Sequence, residues 1–318
     1  MPCQDALAVC SWSVAGTDYL VTAVADGHGG AAYDRSHIGA ALAVRAASEE
    51  FQALLFFGAA PRAPEDADAE DLAGVTRAFK ADFGRLLVRR WRRYVQEDAG
   101  AWNESAPPAQ DADTSLFRRY GTTLLVACVG PQSVLVGQIG DGDVLFLRAD
   151  DSVAQPLPAD DQKVGGETDS LSMPDAPRLF RTAVFDHEER GLLLLASDGV
   201  GNAMREGGLE KLARSVSASA LSGALVQVVA SLPGFLERCS SQGSGDDVTI
   251  SMVILGQAKP ATESLPAGAE VVAPLAEDRV VAAGPPAPAS PEACSDNQGG
   301  GGSRAAGPAD GNQVDGLA

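Results

Sequence analysis

Aspartates recur where apolar runs begin or end, mostly with glycine beside them. Asp26 closes YLVTAVA in ADGHGG (25–30), and Asp141 lies in IGDGD (139–143). Asp198 follows LLLLAS in ASDGV (196–200), Asp246 and Asp247 precede the last apolar run in GDDVT (245–249), and Asp5 opens the first run. In a layered β structure strand ends converge, so these carboxylates would face one cleft. Clustered anions repel unless something compensates, and the simplest compensation is a bound divalent cation. All-oxygen donors suit Mg2+ or Mn2+ rather than zinc. Glycine after an aspartate lets the backbone approach closely and offers its own carbonyl as a further oxygen. Taken singly, each motif has a plain reading: Asp-Gly after a strand is usually a turn, and GDGD alone reads as a hairpin turn. ADGHGG is more specific, because His28 flanked by glycines has little structural purpose there. Number, order and shared position at strand ends carry the weight.

The elements that must position these residues can be read from periodicity. DALAVCSWSV (5–14), a GTD turn and YLVTAVA (19–25) predict a β-hairpin. TTLLVACV (122–129), QSVLVGQI (132–139) and DVLFLRA (143–149), separated by short breaks, predict an antiparallel meander. RLFRTAVF (178–185), GLLLLAS (191–197) and DVTISMVIL (247–255) complete the strands. Helical spacing marks residues 31–57, 69–97 and 208–239, the last with a break near Pro233-Gly234. Residues 58–68 predict a loop. Strands, then long helices, then strands again predict sheets covered by helices, an α+β layered domain over residues 1–256. From Gln257 to Ala318 the composition turns to Ala, Pro, Gly and Ser, which predicts a disordered tail.

Composition excludes several classes. A net charge of −19 and a pI near 4.4 disfavour nucleic-acid binding and adhesion to acidic lipid. The tail holds eight acidic and three basic residues, so most of the negative charge stays in the body, where a metal site can use it. Five cysteines without a CxxC pair argue against a disulfide framework or a zinc site. No apolar run is long enough to span a bilayer and no signal peptide is evident, so a cytoplasmic monomer is expected.

The ordered set QD (4–5), ADGHGG, YGTT (120–123), IGDGD, ASDGV and GDDVT resembles the metal-dependent protein phosphatases of the 2C type, in a bacterial-like form. The resemblance covers about residues 4–255 and extends to GGETDSL (165–171). It implies a four-layer α-β-β-α sandwich of two antiparallel sheets flanked by helices. It implies a Mg2+ or Mn2+ centre of two ions, with Asp26 bridging them and the carbonyl of Gly27 on one. Asp198 and Asp246 become ligands of the other, and Asp5 binds directly or through water. Asp141, with Asp198, matches the position that holds a third ion in bacterial members. The implied activity is hydrolysis of phosphoserine and phosphothreonine in proteins, opposing a serine/threonine kinase.

The implied chemistry is consistent with the residues. Two cations about 4 Å apart hold a bridging water and lower its pKa toward neutrality, so hydroxide attacks phosphorus in line. The departing alkoxide needs a proton, and His28, next to the bridging carboxylate in sequence, is the candidate general acid. A different class stays open at this stage, a catalytically weak phosphatase-like module that binds phosphoproteins. Thr122-Thr123 resemble the nucleophile of N-terminal threonine hydrolases, but that mechanism needs a free amine, so a buried structural role is expected. Three departures stand out. The arginine that grips phosphate in many members, five residues before the first motif aspartate, falls before Met1; either metal-bound waters hold the phosphate or the natural start lies upstream. Gly142 and Asp143 replace the last two residues of the usual GDSR, and Asp247 stands where asparagine is common. Outside the motifs, RRWRRY (89–94) predicts a solvated basic helix face, and residues 155–178 predict either a flap beside the cleft or a plain surface loop.

Overall fold

The computed structural model describes residues 3–58, 67–101, 112–157, 168–187 and 190–256. The expected tail and residues 59–66 of the expected 58–68 loop lie outside the described residues; the loop's ends are helical, Gly58 closing one helix and Ala67 opening the next. Strands β1 (Ala6–Val14) and β2 (Thr17–Ala25) pair antiparallel from Ala6↔Ala25 to Val14↔Thr17. Their two-residue turn, Ala15-Gly16, has φ of 51° and 80°. Positive φ at both positions matches the twist of the flanking strands, as in a type I′ hairpin.

Strands β3 (Leu124–Val129), β4 (Ser133–Ile139), β5 (Asp143–Arg148), β6 (Val153–Ala154), β7 (Arg181–Asp186), β8 (Gly191–Ala196) and β9 (Ile250–Leu255) follow along the chain. The first sheet has the order β1-β2-β3-β4-β7 and the second β6-β5-β8-β9, with every pairing antiparallel. One expectation is corrected here. β5 does not continue a meander after β4: β4 pairs with β7, and β5 pairs with β8 in the other sheet. The GDGD segment is therefore a crossover between sheets and not a hairpin turn. Gly140 makes it possible, with φ of 102° and so little room that a Cβ there would lie 2.6 Å from Thr123.

Helices α1 (Ser36–Gly58) and α2 (Ala67–Ala101) cover the outer face of the first sheet. Short helices α3 (Ala112–Arg119), α4 (Ala176–Leu179) and α5 (Asp198–Asn202) were not evident from periodicity, because each is too short to show it. Helices α6 (Gly208–Ser222) and α7 (Leu225–Arg238) cover the second sheet. Their break is at Gly223, not at Pro233, which lies inside α7. Gly223 adopts φ of 80° and donates its N–H to the Ala220 carbonyl, a C-terminal cap that suits glycine.

Packing follows the residue pattern. Ala40, Ala43, Ala46 and Ala47 bring α1 close to the sheet, and a Cβ at Gly39 would lie 1.9 Å from the Tyr120 carbonyl oxygen. On α2, Phe79, Phe83, Leu87, Trp91 and Val95 recur at helical spacing and are buried. Trp91 donates its indole N–H to the Gly39 carbonyl at 3.0 Å, tying the two helices together. The arginines around it are only partly a solvated face: Arg90 pairs with Glu49 and Glu50, and Arg92 donates to the Met173 carbonyl. β8 is covered on both faces, with Leu193 and Leu195 packed between the sheets and Leu192 and Leu194 against α6 and α7. The result is an α+β sandwich of two antiparallel sheets with helices on both outer faces. Among the described residues, no helix is long and apolar enough to cross a membrane.

Candidate metal centre

Asp26 leaves the end of β2 under tight backbone control. Its N–H donates to the Thr123 hydroxyl at 3.2 Å. Its carbonyl accepts from the Thr123 N–H and from the Thr122 hydroxyl, both at 2.8 Å. The two threonines are buried, as expected, and they fix the aspartate in place. Gly27 bridges to Thr122 and donates its N–H to the Gln4 carbonyl. A Cβ at Gly27 would fall 2.7 Å from that oxygen and 2.9 Å from the Ser36 carbonyl oxygen, so only glycine fits.

His28 is held just as closely. Its N–H donates to the Gly121 carbonyl at 3.0 Å, and its carbonyl accepts from the Gln4 side chain at 3.1 Å. The ring stands edge-on to Tyr33, with centroids 5.1 Å apart. Burial pushes the imidazole pKa below its ordinary value, while the charges of Asp141 and Asp198 pull the other way. The ring therefore lies within the charge field of two of the aspartates that the sequence singles out.

Asp5 enters from the segment before β1. One carboxylate oxygen accepts from the Ser197 hydroxyl at 2.9 Å, and the other is buried without a hydrogen-bond partner. Burial pushes its pKa up to about 6, with Asp247 and Asp246 adding to the rise and Thr249 and Ser197 opposing it. Asp198 opens α5; one oxygen accepts from the Asn202 amide at 3.2 Å, and the other is again buried and unpartnered. Asp26 is the most perturbed of the group. Burial, followed by the charge of Asp5, a hydrogen bond with Asp198 and the charges of Asp198 and Asp246, pushes it up to about 9. A carboxyl among carboxylates keeps its proton because each neighbour penalises a further negative charge.

Asp246 is exposed and belongs to the same group through its effect on Asp5 and Asp26. Asp247 acts structurally. Its carboxylate accepts the Gln4 N–H at 2.6 Å, which joins the N-terminal segment to the loop before β9. Gly199 allows that loop to approach, since a Cβ there would lie 2.2 Å from the Asp247 carbonyl oxygen. Asp141 lies to one side, accepting from the Thr168 hydroxyl at 2.6 Å. Asp5, Asp26, Asp198 and Asp246 thus share one field, which His28 and Asp141 border.

Among the described residues, no three acidic, histidine or cysteine side chains close into a ready-made cage for a metal. The fit to a hard cation rests on other features. The donors are carboxylates, and two of their oxygens, on Asp5 and Asp198, are buried with no protein donor. Such atoms are costly unless a cation, a proton or water meets them. Sequence reasoning gave Asp143 no role, yet it is half-buried and pushed up to about 6 by burial and by Glu210, Asp198 and Asp141. With Asp141, Asp198, Glu206 and Glu210 it lines a cavity of about 360 Å3 beside the cluster. Gln4 belongs to the QD stretch but was given no role of its own, although it anchors both Gly27 and His28.

A family model described as protein phosphatase 2C matches residues 1–237. The chain belongs to the protein phosphatase 2C family. It is accordingly a phosphoprotein phosphatase, a hydrolase of phosphoric monoesters. Several solved structures are similar to it. A bacterial serine phosphatase is 16% identical over 81% of this chain and 94% of its own, with a TM-score of 0.49. The serine/threonine phosphatase of S. agalactiae is 12% identical over 80% of this chain and 93% of its own, with a TM-score of 0.48. The catalytic domain of the serine/threonine phosphatase PstP, solved with two manganese ions, is 15% identical over 79% and 98%, with a TM-score of 0.46. A comparison with the curated proteins gives no match.

Proposed function

We propose that this protein phosphatase 2C member hydrolyses phosphoserine and phosphothreonine in proteins with a centre of two Mg2+ or Mn2+ ions. Asp26 and the Gly27 carbonyl would hold the ions together with Asp198 and Asp246, Asp5 would support them directly or through water, and Asp141 with Asp198 would offer a place for a third. The observation that carries this reading is the buried carboxyl of Asp26, pushed up to about 9 among Asp5, Asp198 and Asp246, with unpartnered oxygens on Asp5 and Asp198. When bound, the cations supply an acidified water and positive charge that offsets the phosphoryl oxygens.

The chain's own residues do the rest. Thr122 and Thr123 fix the backbone of Asp26 so that its carboxyl need not reorganise. Gln4, Gly121 and Tyr33 set the position of His28. His28 donates a proton to the departing serine or threonine oxygen. Its lowered pKa favours the neutral ring at rest, and the approach of a phosphate dianion raises it toward the protonated form that an acid requires. The catalytic domain spans residues 1–256; the protein is a cytoplasmic monomer that acts on phosphorylated proteins and opposes a serine/threonine kinase.

The test is hydrolysis of a phosphothreonine peptide and of an aryl phosphate in Mn2+, with and without chelator. Activity should require the metal and fall at least ~100-fold in Asp26→Asn. Turnover that survives chelation would remove the two-ion reading.

A further inference from the structure

Residues 168–173 touch two members of the aspartate group, and no step of the reaction uses them. At one end the Thr168 hydroxyl donates to the Asp141 carboxylate. Two residues on, Ser170 is buried and closes on Thr122. Its hydroxyl accepts the Thr122 N–H and donates to the Thr122 carbonyl, each at 3.2 Å, and the Leu171 N–H donates to the same carbonyl at 3.0 Å. Thr122 is the residue whose hydroxyl holds the Asp26 carbonyl and whose backbone bridges to Gly27. One residue therefore separates Ser170 from the backbone that carries Asp26 and Gly27.

A hydroxyl at 170 suits this place because it is small and can both donate and accept. Alanine there would leave the buried Thr122 N–H without a partner, which is costly enough to make the two segments part or admit water. The other end of the segment is fastened from outside. Leu171 is fully buried in the core beneath α1 and α2. Arg92 of α2 donates to the Met173 carbonyl at 2.6 Å and to the Pro174 carbonyl at 3.3 Å, and its guanidinium lies 5.4 Å from the centre of the Phe117 ring. A planar fork that spans two successive carbonyls fixes their direction. The basic run at 89–94 thus sends one cation to the backbone of this segment.

We infer that Ser170 is a positioning residue for the metal centre, acting through Thr122 on Asp26 and Gly27, and that Arg92 holds in place the segment that carries it. This rests on the reading of Asp26 and the Gly27 carbonyl as ligands. A cation tolerates little error in the direction of its donors, so groups that orient a ligand tune affinity nearly as strongly as the ligands do.

Calorimetric titration of the full chain with Mn2+, and hydrogen exchange in chelator, test the inference together. Ser170→Ala should weaken Mn2+ binding roughly 10–100-fold. Without metal it should speed exchange of the Thr122 and Thr123 amides at least ~10-fold and leave the amides of β8 as they are. Ser170→Thr keeps the hydroxyl and should bind Mn2+ as the unaltered chain does. Ser172→Ala removes a hydroxyl that bonds Ser170 but not Thr122, and should change neither readout. Arg92→Met, at a partly exposed position, should move both readouts in the direction of Ser170→Ala, and it carries the test should that variant fail to fold. Unchanged Mn2+ affinity in Ser170→Ala, or an equal loss in Ser172→Ala, would overturn the inference. So would exchange that quickens everywhere alike, the mark of a plain loss of stability. An unaltered chain that binds no Mn2+ would overturn the reading of the centre and this inference with it. Binding lost in Asp26→Asn but kept in Ser170→Ala would overturn this inference alone.

Discussion

Replacing Asp26 by asparagine should stabilise the metal-free fold and at the same time remove its response to cations. The folded chain holds the Asp26 proton up to about pH 9, whereas an unperturbed carboxyl gives it up near 3.8. Between those values the unfolded chain has lost a proton that the folded chain keeps. Stability must therefore fall as pH rises through that window, by about 1.4 kcal/mol per pH unit for a single group. At about pH 7 the accumulated loss has an upper bound of ~4 kcal/mol. Relaxation of Asp5 and Asp198 away from the carboxyl reduces it, and we take about half, ~2 kcal/mol. Asparagine carries no such proton and removes the Asp26 part of the slope, leaving the smaller parts of Asp5 and Asp143, both pushed up to about 6. A domain of this size shifts by about 2–4 °C per kcal/mol, so in chelator Asp26→Asn should melt ~4–8 °C higher than the unaltered chain near pH 7. Below pH 4 the difference should vanish. Excess Mn2+ should reverse the order, because an ion at about 100 times its dissociation constant stabilises the binding-competent chain by ~2.7 kcal/mol and the variant far less. Thermal unfolding followed by circular dichroism, in chelator and in Mn2+ across this pH range, reads all of it. The reasoning is refuted if Asp26→Asn melts lower in chelator near pH 7, or if Mn2+ raises both proteins equally.

Two further outcomes follow from the same geometry. His28→Ala should cost roughly 10²–10⁴-fold on a phosphothreonine peptide and much less on an aryl phosphate, whose leaving group needs no proton; equal losses in steady-state assays would count against the acid role. Cation binding must displace protons from Asp5, at about 6, and from Asp26, at about 9, so calorimetric affinity for Mn2+ should tighten from about pH 6 to about pH 9 with proton release. A flat profile would mean that neither carboxyl meets the ion.

Much of the fold was legible because its strands are short, apolar and punctuated. The β1–β2 hairpin falls where the alternation and the turn residues put it, and β8 is covered on both faces, as a run of leucines suggests. What periodicity could not give was which sheet a strand joins. β4 and β5 are separated by three residues, and local pattern reads them as neighbours, yet the crossover depends on the crowding of Gly140 against Thr123, a contact between distant parts of the chain. The break at Gly223 was missed for a related reason: a proline weakens a helix by rule, but here a left-handed glycine ends α6 and Pro233 is accommodated within α7.

In the candidate site, the aspartates were legible from their place at strand ends beside glycine. Their supports were not. Gln4, Thr122, Thr123 and Ser197 lie within the matched stretches QD, YGTT and ASDGV, but what they do appears only once Asp26, His28 and Asp5 are set against them. Asp143 looked like a local change in a turn. Its burial beside Glu210 follows from β5 lying in the second sheet, against the helical layer that carries α6.

The most direct test of the central claim is anomalous diffraction at the manganese edge from crystals grown or soaked in Mn2+. The account predicts two strong peaks bounded by Asp26, the Gly27 carbonyl, Asp198 and Asp246. Crystals of the active protein with no manganese among those residues would contradict it.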